Sequence, residues 1–319
     1  MICLNAFKSL ISFKVYMKII DIHTHGLNGI DSRSDDVLQI LNIAKMQAAQ
    51  GVSQIILSIY PAAIEVMRSN LSVIKKAMDI AAKDYVNEIN NDIKISSDGK
   101  LVFPPTAVIS GVHLEGPFLN PMYCGALNAA SFLEPLERHF ERLIEGYNDI
   151  VKIITIAPEL NGAVKFIKKI TDMGIIVNMG HSDADYAQAE DGFNAGAKGV
   201  THLFNAMRPF KHREPGLVGF ALTNKDIYVE VIADPFHLHQ STIELIFKTK
   251  LPDRIIIVSD SVKQTTHTTF NKSPIEVSGR LLGGAMGVTE AVKRLINLGF
   301  PPETTLECIS ANPLRFLKD

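Results

Sequence analysis

The stretch from Thr201 to Gly219, THLFNAMRPFKHREPGLVG, offers His202, Asn205, a run of cations that includes Arg213, and a Pro-Gly pair. A neutral imidazole can ligate a metal. An amide can orient a sugar hydroxyl, and a guanidinium can fork onto a phosphate. One loop of this composition can hold both the reacting and the charged end of a small substrate. Taken alone it also fits a basic surface loop, so the remaining ligand-type residues have to decide.

His23-Thr24-His25 places two imidazoles on alternate positions of an extended segment, so both point to one side. Glu115 follows an apolar run and precedes a Gly-Pro break, a poor place for a carboxylate whose only task is packing. His181 stands after Asn178-Met179-Gly180, and Asp260 after four aliphatic residues and Ser259. Imidazoles and carboxylates together suit Zn, Fe, Mn or Co. One or two such divalent ions lower the pKa of a water and polarise a carbonyl. A carboxylate must then carry a proton from the water to the leaving group. Asp260 is assigned that shuttle, within reach of both metal and substrate.

These residues must be brought together by the elements that carry them. Short apolar runs at 18–23, 53–58, 106–113, 151–156, 175–179, 198–201, 227–232 and 254–258 read as strands, with helical patterns between most of them. Helices are expected at 35–50, 62–86, 161–173, 184–194, 241–248, 289–298 and 304–310, and 87–100 reads as a polar surface loop. Strands alternating with helices mean a parallel sheet, either a (β/α)8 TIM-type barrel or an open doubly wound sheet. His23, His25, Glu115, His181, His202 and Asp260 all sit at or just past strand C-termini. A closed barrel gathers those ends at one mouth, whereas an open sheet spreads them too widely to share a ligand. The barrel is therefore predicted.

The 319 residues are 46% hydrophobic and 21% charged, which is ordinary for a globular chain with ample core. A formal charge of −2 argues against a nucleic-acid surface. No apolar run approaches the length of a membrane span. Cys3, Cys124 and Cys308 match neither a disulfide framework nor a zinc knuckle and point to a cytoplasmic setting. Residues 1–16 read as a poorly ordered extension, with Met17 as an alternative start and 17–319 as the barrel.

Several motifs resemble a known family. DIHTHGLNGID from Asp21, GVHLEGPFLNP from Gly111, TIAPE from Thr155, MGHS from Met179, THLFNAM with REPG from Thr201, and IADPFH from Ile232 run in the order found in N-acetylglucosamine-6-phosphate deacetylases of the amidohydrolase superfamily. The resemblance implies a homodimeric barrel enzyme that hydrolyses N-acetylglucosamine 6-phosphate, an amino-sugar phosphate, to glucosamine 6-phosphate and acetate. It implies Glu115, His181 and His202 as ligands of one metal, His23 and His25 as ligands of a second with Glu115 bridging, and Asp260 as acid/base and metal neighbour. It places Ala126, Asn205, Ala206, Arg213, His237, Leu281, Leu282 and Gly283 against substrate.

The sequence departs from the family pattern in places. The small flanking β-sandwich domain is expected to be largely absent, giving a barrel-only version. Leu127, Pro235, Gly284 and Gly287 stand where the family has other residues, which predicts an altered sugar pocket. Two alternatives follow: an amidohydrolase for a different N-acyl substrate, or a catalytically weakened binding protein.

Overall fold

A computed structural model describes residues 18–87, 94–95, 101–102, 105–266 and 280–318. The expectations for residues 1–16 and for a start at Met17 lie outside the described residues. Eight strands form one parallel sheet in sequence order: β1 (Ile20–Thr24), β2 (Gln54–Ile59), β3 (Val108–Glu115), β4 (Val151–Ile156), β5 (Ile176–Met179), β6 (Gly199–Val200), β7 (Tyr228–Ile232) and β8 (Ile255–Val258). Extensions of β8 and β1 close the sheet. Asp260 N donates to His23 O over 2.9 Å, His25 N donates to Ser261 O over 2.7 Å, and Thr24 bridges Ser261 in parallel.

The strands form where the sequence supplies β-branched runs that can be buried on both faces, as in the wholly buried Ile255–Val258. Between them lie α1 (Val37–Ala49), α2 (Ile64–Asn87), α3 (Glu137–Ile144), α4 (Ala163–Asp172), α5 (Tyr186–Asn194), α6 (Gly216–Thr223) and α7 (Gln240–Thr249). After β8 come α8 (Val288–Asn297), α9 (Pro302–Glu307) and α10 (Ala311–Lys318). Side-chain caps fix several starts. Asp36 accepts from Leu38 N ahead of α1, and Asp185 forms a reciprocal capping box with Gln188 at α5.

The core has two layers. The larger fills the space between sheet and helices, with Leu57, Leu114, Phe118, Phe140 and Ile167 among its buried members. The smaller joins strand residues Ile20, Ile22, Ile56, Ile153, Tyr228 and Ile256 to Phe316 of α10. The bottom of the barrel is thus plugged by a helix where sequence reasoning expects the helices to have ended. Asn312-Pro313 resembles a stop, but proline is tolerated in a helix's first turn. Asn312 Nδ2 anchors that turn on the carbonyls of Pro252 and Ile255, both at 2.8 Å.

Other boundaries shift. β3 runs on to Glu115 instead of ending at His113, and the strand expected at 198–201 is reduced to Gly199–Val200. Pro215-Gly216, a pair that commonly makes a turn, instead opens α6, as a proline can at a helix start. Lys94–Ile95, within the segment read as a surface loop, pairs antiparallel with Leu101–Val102 just beyond it. The intervening residues lie outside the described ones. Pairing registers slip between Asp21 and Thr24, between Ile55 and Leu57, and between Val112 and His113. Irregularities of this kind re-aim side chains next to functional sites.

Candidate metal centre and active site

The C-terminal mouth brings together all six residues proposed from the sequence as ligands. Glu115, His181 and His202 form one triad and His23, His25 and Asp260 another, each with donor atoms within 4.8 Å of one another. In the first, Glu115 Oε1 lies 3.1 Å from both His181 Nε2 and His202 Nε2, and those two nitrogens are 3.1 Å apart. In the second, His23 Nε2 and His25 Nε2 are 3.2 Å apart, and each lies 3.4 Å from Asp260 Oδ1. Glu115 Oε2 is 3.2 Å from His25 Nε2, so one carboxylate faces both triads.

The tautomers give the arrangement its meaning. His181 Nδ1 donates to the carbonyl of Tyr123 over 2.8 Å, and a carbonyl can only accept. His23 Nδ1 donates to Glu230 Oε2 over 3.0 Å, while Asn178 Nδ2 holds Glu230 Oε1 at 2.8 Å. In both neutral rings Nε2 is therefore a lone pair, and each lone pair faces other acceptors. Acceptors aimed at acceptors in a buried pocket are unfavourable unless a cation lies between them. The spacing suits a metal ion: donors about 2.0–2.1 Å from a tetrahedral zinc stand roughly 3.3 Å apart. The donor set thus fits a divalent ion, with Glu230 acting as a carboxylate behind a ligating imidazole.

Charge tells the same story. Burial opposes the His23 imidazolium, but attraction to Asp260 and the bond to Glu230 outweigh it and raise its pKa to about 10, the pattern of opposite charges overcoming desolvation. Burial likewise opposes the Glu115 carboxylate, yet His181, His202 and His25, which can donate to it only when their Nε2 atoms carry a proton, hold its pKa well below the usual range. A centre rich in negative charge takes up protons when no other cation is supplied. Asp21, wholly buried beneath the cluster, is pushed up to about 6 by burial, although its Oδ1 accepts from His23 N and Ser259 N.

The backbone is bent to make this cluster. His181, His202 and Asp260 adopt φ of 48°, 31° and 46°. Side-chain-bearing residues seldom occupy that region. Strain of this kind collects at functional sites and persists only where the surroundings enforce it.

Beside the triads lies a cavity of about 260 Å³. Ala126, Asn205, Ala206, His237, Leu281, Leu282 and Gly283 line it, together with Glu115, His181, His202 and Asp260. Asp234, itself buried, accepts from His237 Nδ1 over 2.9 Å, from the backbone N of Phe236 and His237, and from Ala285 N. That fixes the His237 ring with Nε2 left for a ligand.

Arg213 is not brought to this cavity. Lys211 to Glu214 form an exposed turn ahead of α6, closed by hydrogen bonds between the backbones of Lys211 and Glu214. The arginine at the cavity wall is Arg280, which sequence reasoning passed over. Pro235, Gly284 and Gly287 are also absent from the lining, whereas Leu127 is part of it. A Cβ on Gly284 would collide with the carbonyl oxygen of Ser259. Its bareness serves a close backbone approach and not a wider pocket.

Reasoning from sequence also missed Glu230, Asn178 and Tyr60. The Tyr60 ring stacks on His25 at 3.8 Å and carries the Arg33 guanidinium 4.5 Å from its centroid. A lone carboxylate inside the apolar strand YVEVI was the available signal for Glu230.

A closed (β/α)8 barrel with imidazoles and carboxylates gathered at its C-terminal mouth is a scaffold suited to metal-assisted hydrolysis. Comparison with known proteins narrows this. The chain is 39% identical over 158 residues to N-acetylglucosamine-6-phosphate deacetylase of Bacillus subtilis (strain 168), covering 49% of this chain and 40% of that protein. It is 29% identical over 313 residues to N-acetylgalactosamine-6-phosphate deacetylase of Escherichia coli O157:H7, covering 93% and 76%. The solved N-acetylglucosamine-6-phosphate deacetylase of Pasteurella multocida superimposes with a TM-score of 0.79 at 23% identity, over 95% of this chain and 76% of that one, which supports the fold. No family model matches the chain. The chain is thus similar, along most of its length, to deacetylases of N-acetylated amino-sugar 6-phosphates. It spans less than two thirds of the length of several curated relatives, 40% of the Bacillus protein and 61% of the human one.

Proposed function

We propose that the protein is a divalent-metal-dependent deacetylase that hydrolyses the N-acetyl amide of N-acetylglucosamine 6-phosphate. The observation that carries this reading is the convergence of four imidazoles and two carboxylates, lone pair against lone pair, on the wall of a cavity of sugar-phosphate size. Glu115, His181 and His202 would hold one ion, and His23, His25 and Asp260 a second, with Glu115 shared. Zn, Fe, Co or Mn all suit these donors. A bound ion supplies a Lewis acid for the amide carbonyl and acidifies water beside it.

The chain's own residues do the rest. Asp260 lies on the wall shared by ligand cluster and cavity, its side chain 13% exposed. It takes a proton from the attacking water and returns it to the leaving nitrogen as the C–N bond breaks. His237, oriented by Asp234, presents Nε2 to the substrate. Asn205, with the backbone around Ala126, Ala206 and Leu281 to Gly283, frames the sugar. Arg280 replaces Arg213 as the cation within reach of a phosphate in the same chain. The homodimer and the cytoplasmic setting belong to the same proposal; among the described residues no helix is long and apolar enough to cross a membrane.

The test is acetate release from N-acetylglucosamine 6-phosphate by purified protein loaded with each metal in turn. Release that chelation abolishes and added metal restores is expected. Metal-loaded protein that releases no acetate contradicts the proposal. Leu127 in the cavity wall favours one second reading, a different N-acyl substrate. A panel of N-acyl sugars, run alongside N-acetylgalactosamine 6-phosphate, separates the two.

A further inference from the structure

The motif TIAPE ends in a carboxylate, Glu159, to which the proposed reaction gives no task. It stands beyond the end of β4, outside both triads, and it is half-buried. Its two oxygens accept three hydrogen bonds from two different loops. Oε1 accepts from Asn120 Nδ2 over 2.9 Å and from Asp183 N over 2.6 Å, and Oε2 accepts from Ser182 Oγ over 2.6 Å.

Both loops grip His181. Ser182 and Asp183 follow it directly. Asn120 N donates to the His181 carbonyl over 2.9 Å, and Tyr123, three residues on, accepts the Nδ1 proton of the same ring. His181 has a φ of 48°. Its own backbone preference therefore works against the conformation that aims Nε2 at Glu115. The preceding residue cannot supply a replacement anchor, because a Cβ on Gly180 would meet Thr201 Cβ at 2.9 Å. Correct aim has to be imposed by bonds on either side of His181, and Glu159 ties those two sides together.

We infer that Glu159 is a positioning residue for the Glu115–His181–His202 centre, holding His181 in its metal-ready conformation by clamping the loops that follow β3 and β5. The inference rests on the metal reading above. Its chemistry makes a specific distinction between substitutions. In Glu159→Gln the amide oxygen can keep the bonds from Asn120 Nδ2 and Asp183 N, while the amide NH2 donates to Ser182 Oγ, which is able to accept. In Glu159→Ala all three bonds go. A carboxylate needed only for its charge would give the opposite pattern, with glutamine as damaging as alanine.

The experiment is zinc affinity by chelator competition on the full chain, for wild type, E159A and E159Q, with a thermal melt on each. Removing a partner behind a ligand costs about 10–100-fold in metal affinity, and a loss of that size is expected for E159A with near wild-type binding in E159Q. E159A that binds zinc like wild type overturns the inference, and so does E159Q that falls as far as E159A. Should E159A not fold, N120A and S182A each remove one donor. Both are expected to weaken zinc binding, and unchanged affinity in both overturns the inference. Wild-type protein that binds no zinc overturns the metal reading itself, and this inference with it. A zinc-binding wild type with an unaffected E159A overturns the inference alone.

Discussion

The two ends of this barrel are made by the same eight strands and behave as opposites. At the N-terminal end Phe316 packs on Tyr228 with ring centroids 5.1 Å apart, over an apolar layer of isoleucines. The polar groups admitted there are satisfied: Asn312 on two carbonyls, and Lys250 Nζ on the carbonyls of Asn224 and Ile227 at 2.6 and 2.8 Å. At the C-terminal end acceptors face acceptors, and His181, His202, Phe204, Ala206 and Asp260 hold positive φ. One end supplies stability. The other holds a strained cluster of imidazoles and carboxylates whose acceptor atoms face one another. This division follows from barrel geometry, which leaves the mouth to loops that the core does not have to pack.

The sharpest way to break the contrast is at Asp260. Asp260→Asn is expected to lower kcat by about 10²–10⁴-fold, the usual worth of a positioned acid/base, while zinc stays bound at Glu115, His181 and His202. Acetate-release kinetics check the first part and metal analysis the second; undiminished turnover removes Asp260 from its role. At the other end, Phe316→Ala should cost about 3–5 kcal/mol of stability, the range for emptying a buried aromatic site. Zinc affinity should not change. Urea unfolding with a parallel zinc titration measures both, and a loss of metal affinity would mean that the two ends are not independent.

A smaller effect is expected at Glu230. Both of its oxygens must accept, one from His23 Nδ1 and one from Asn178 Nδ2. Glu230→Gln confronts one of those donors with an NH2 group and should weaken metal binding by about 10–100-fold. Chelator competition decides it, and wild-type affinity would show that His23 needs no orienting partner.

The smallest effect belongs to Lys250, whose pKa burial lowers from 10.5 to about 8. Between those pH values the unfolded chain binds more protons than the folded one, so stability rises with pH there. The penalty is fully present below about pH 8. Lys250→Met removes this slope. The denaturation midpoint of wild type should therefore climb relative to the variant from about pH 8 to 10.5, and parallel curves would contradict the assignment.

Much of this was readable in the chain because barrel strands are nearly continuous aliphatic runs. A histidine, glutamate or aspartate at the end of such a run stands out, as do the six side chains that the structure gathers at the mouth. The parts that escaped have physical reasons. Glu230 lies within its strand, and nothing in one-dimensional spacing says that it faces His23, more than 200 positions away. Arg213 stands out among the cations of its loop, whereas nothing in the sequence marks Arg280 as the arginine at the cavity wall. The glycine at 284 reads as a lost pocket side chain, whereas close packing against the backbone of Ser259 requires it. Helix α10 hid behind Asn312-Pro313, whose anchoring bonds reach residues more than fifty positions back.

The central claim is that the facing acceptor atoms at the mouth are a cation site. Crystals of the full chain grown with zinc, with diffraction collected on both sides of the zinc absorption edge, test it most directly. An anomalous peak is predicted between Glu115, His181 and His202, with a second beside His23, His25 and Asp260 where both ions bind. Crystals that carry zinc elsewhere, or none, while these side chains keep their places would contradict the account.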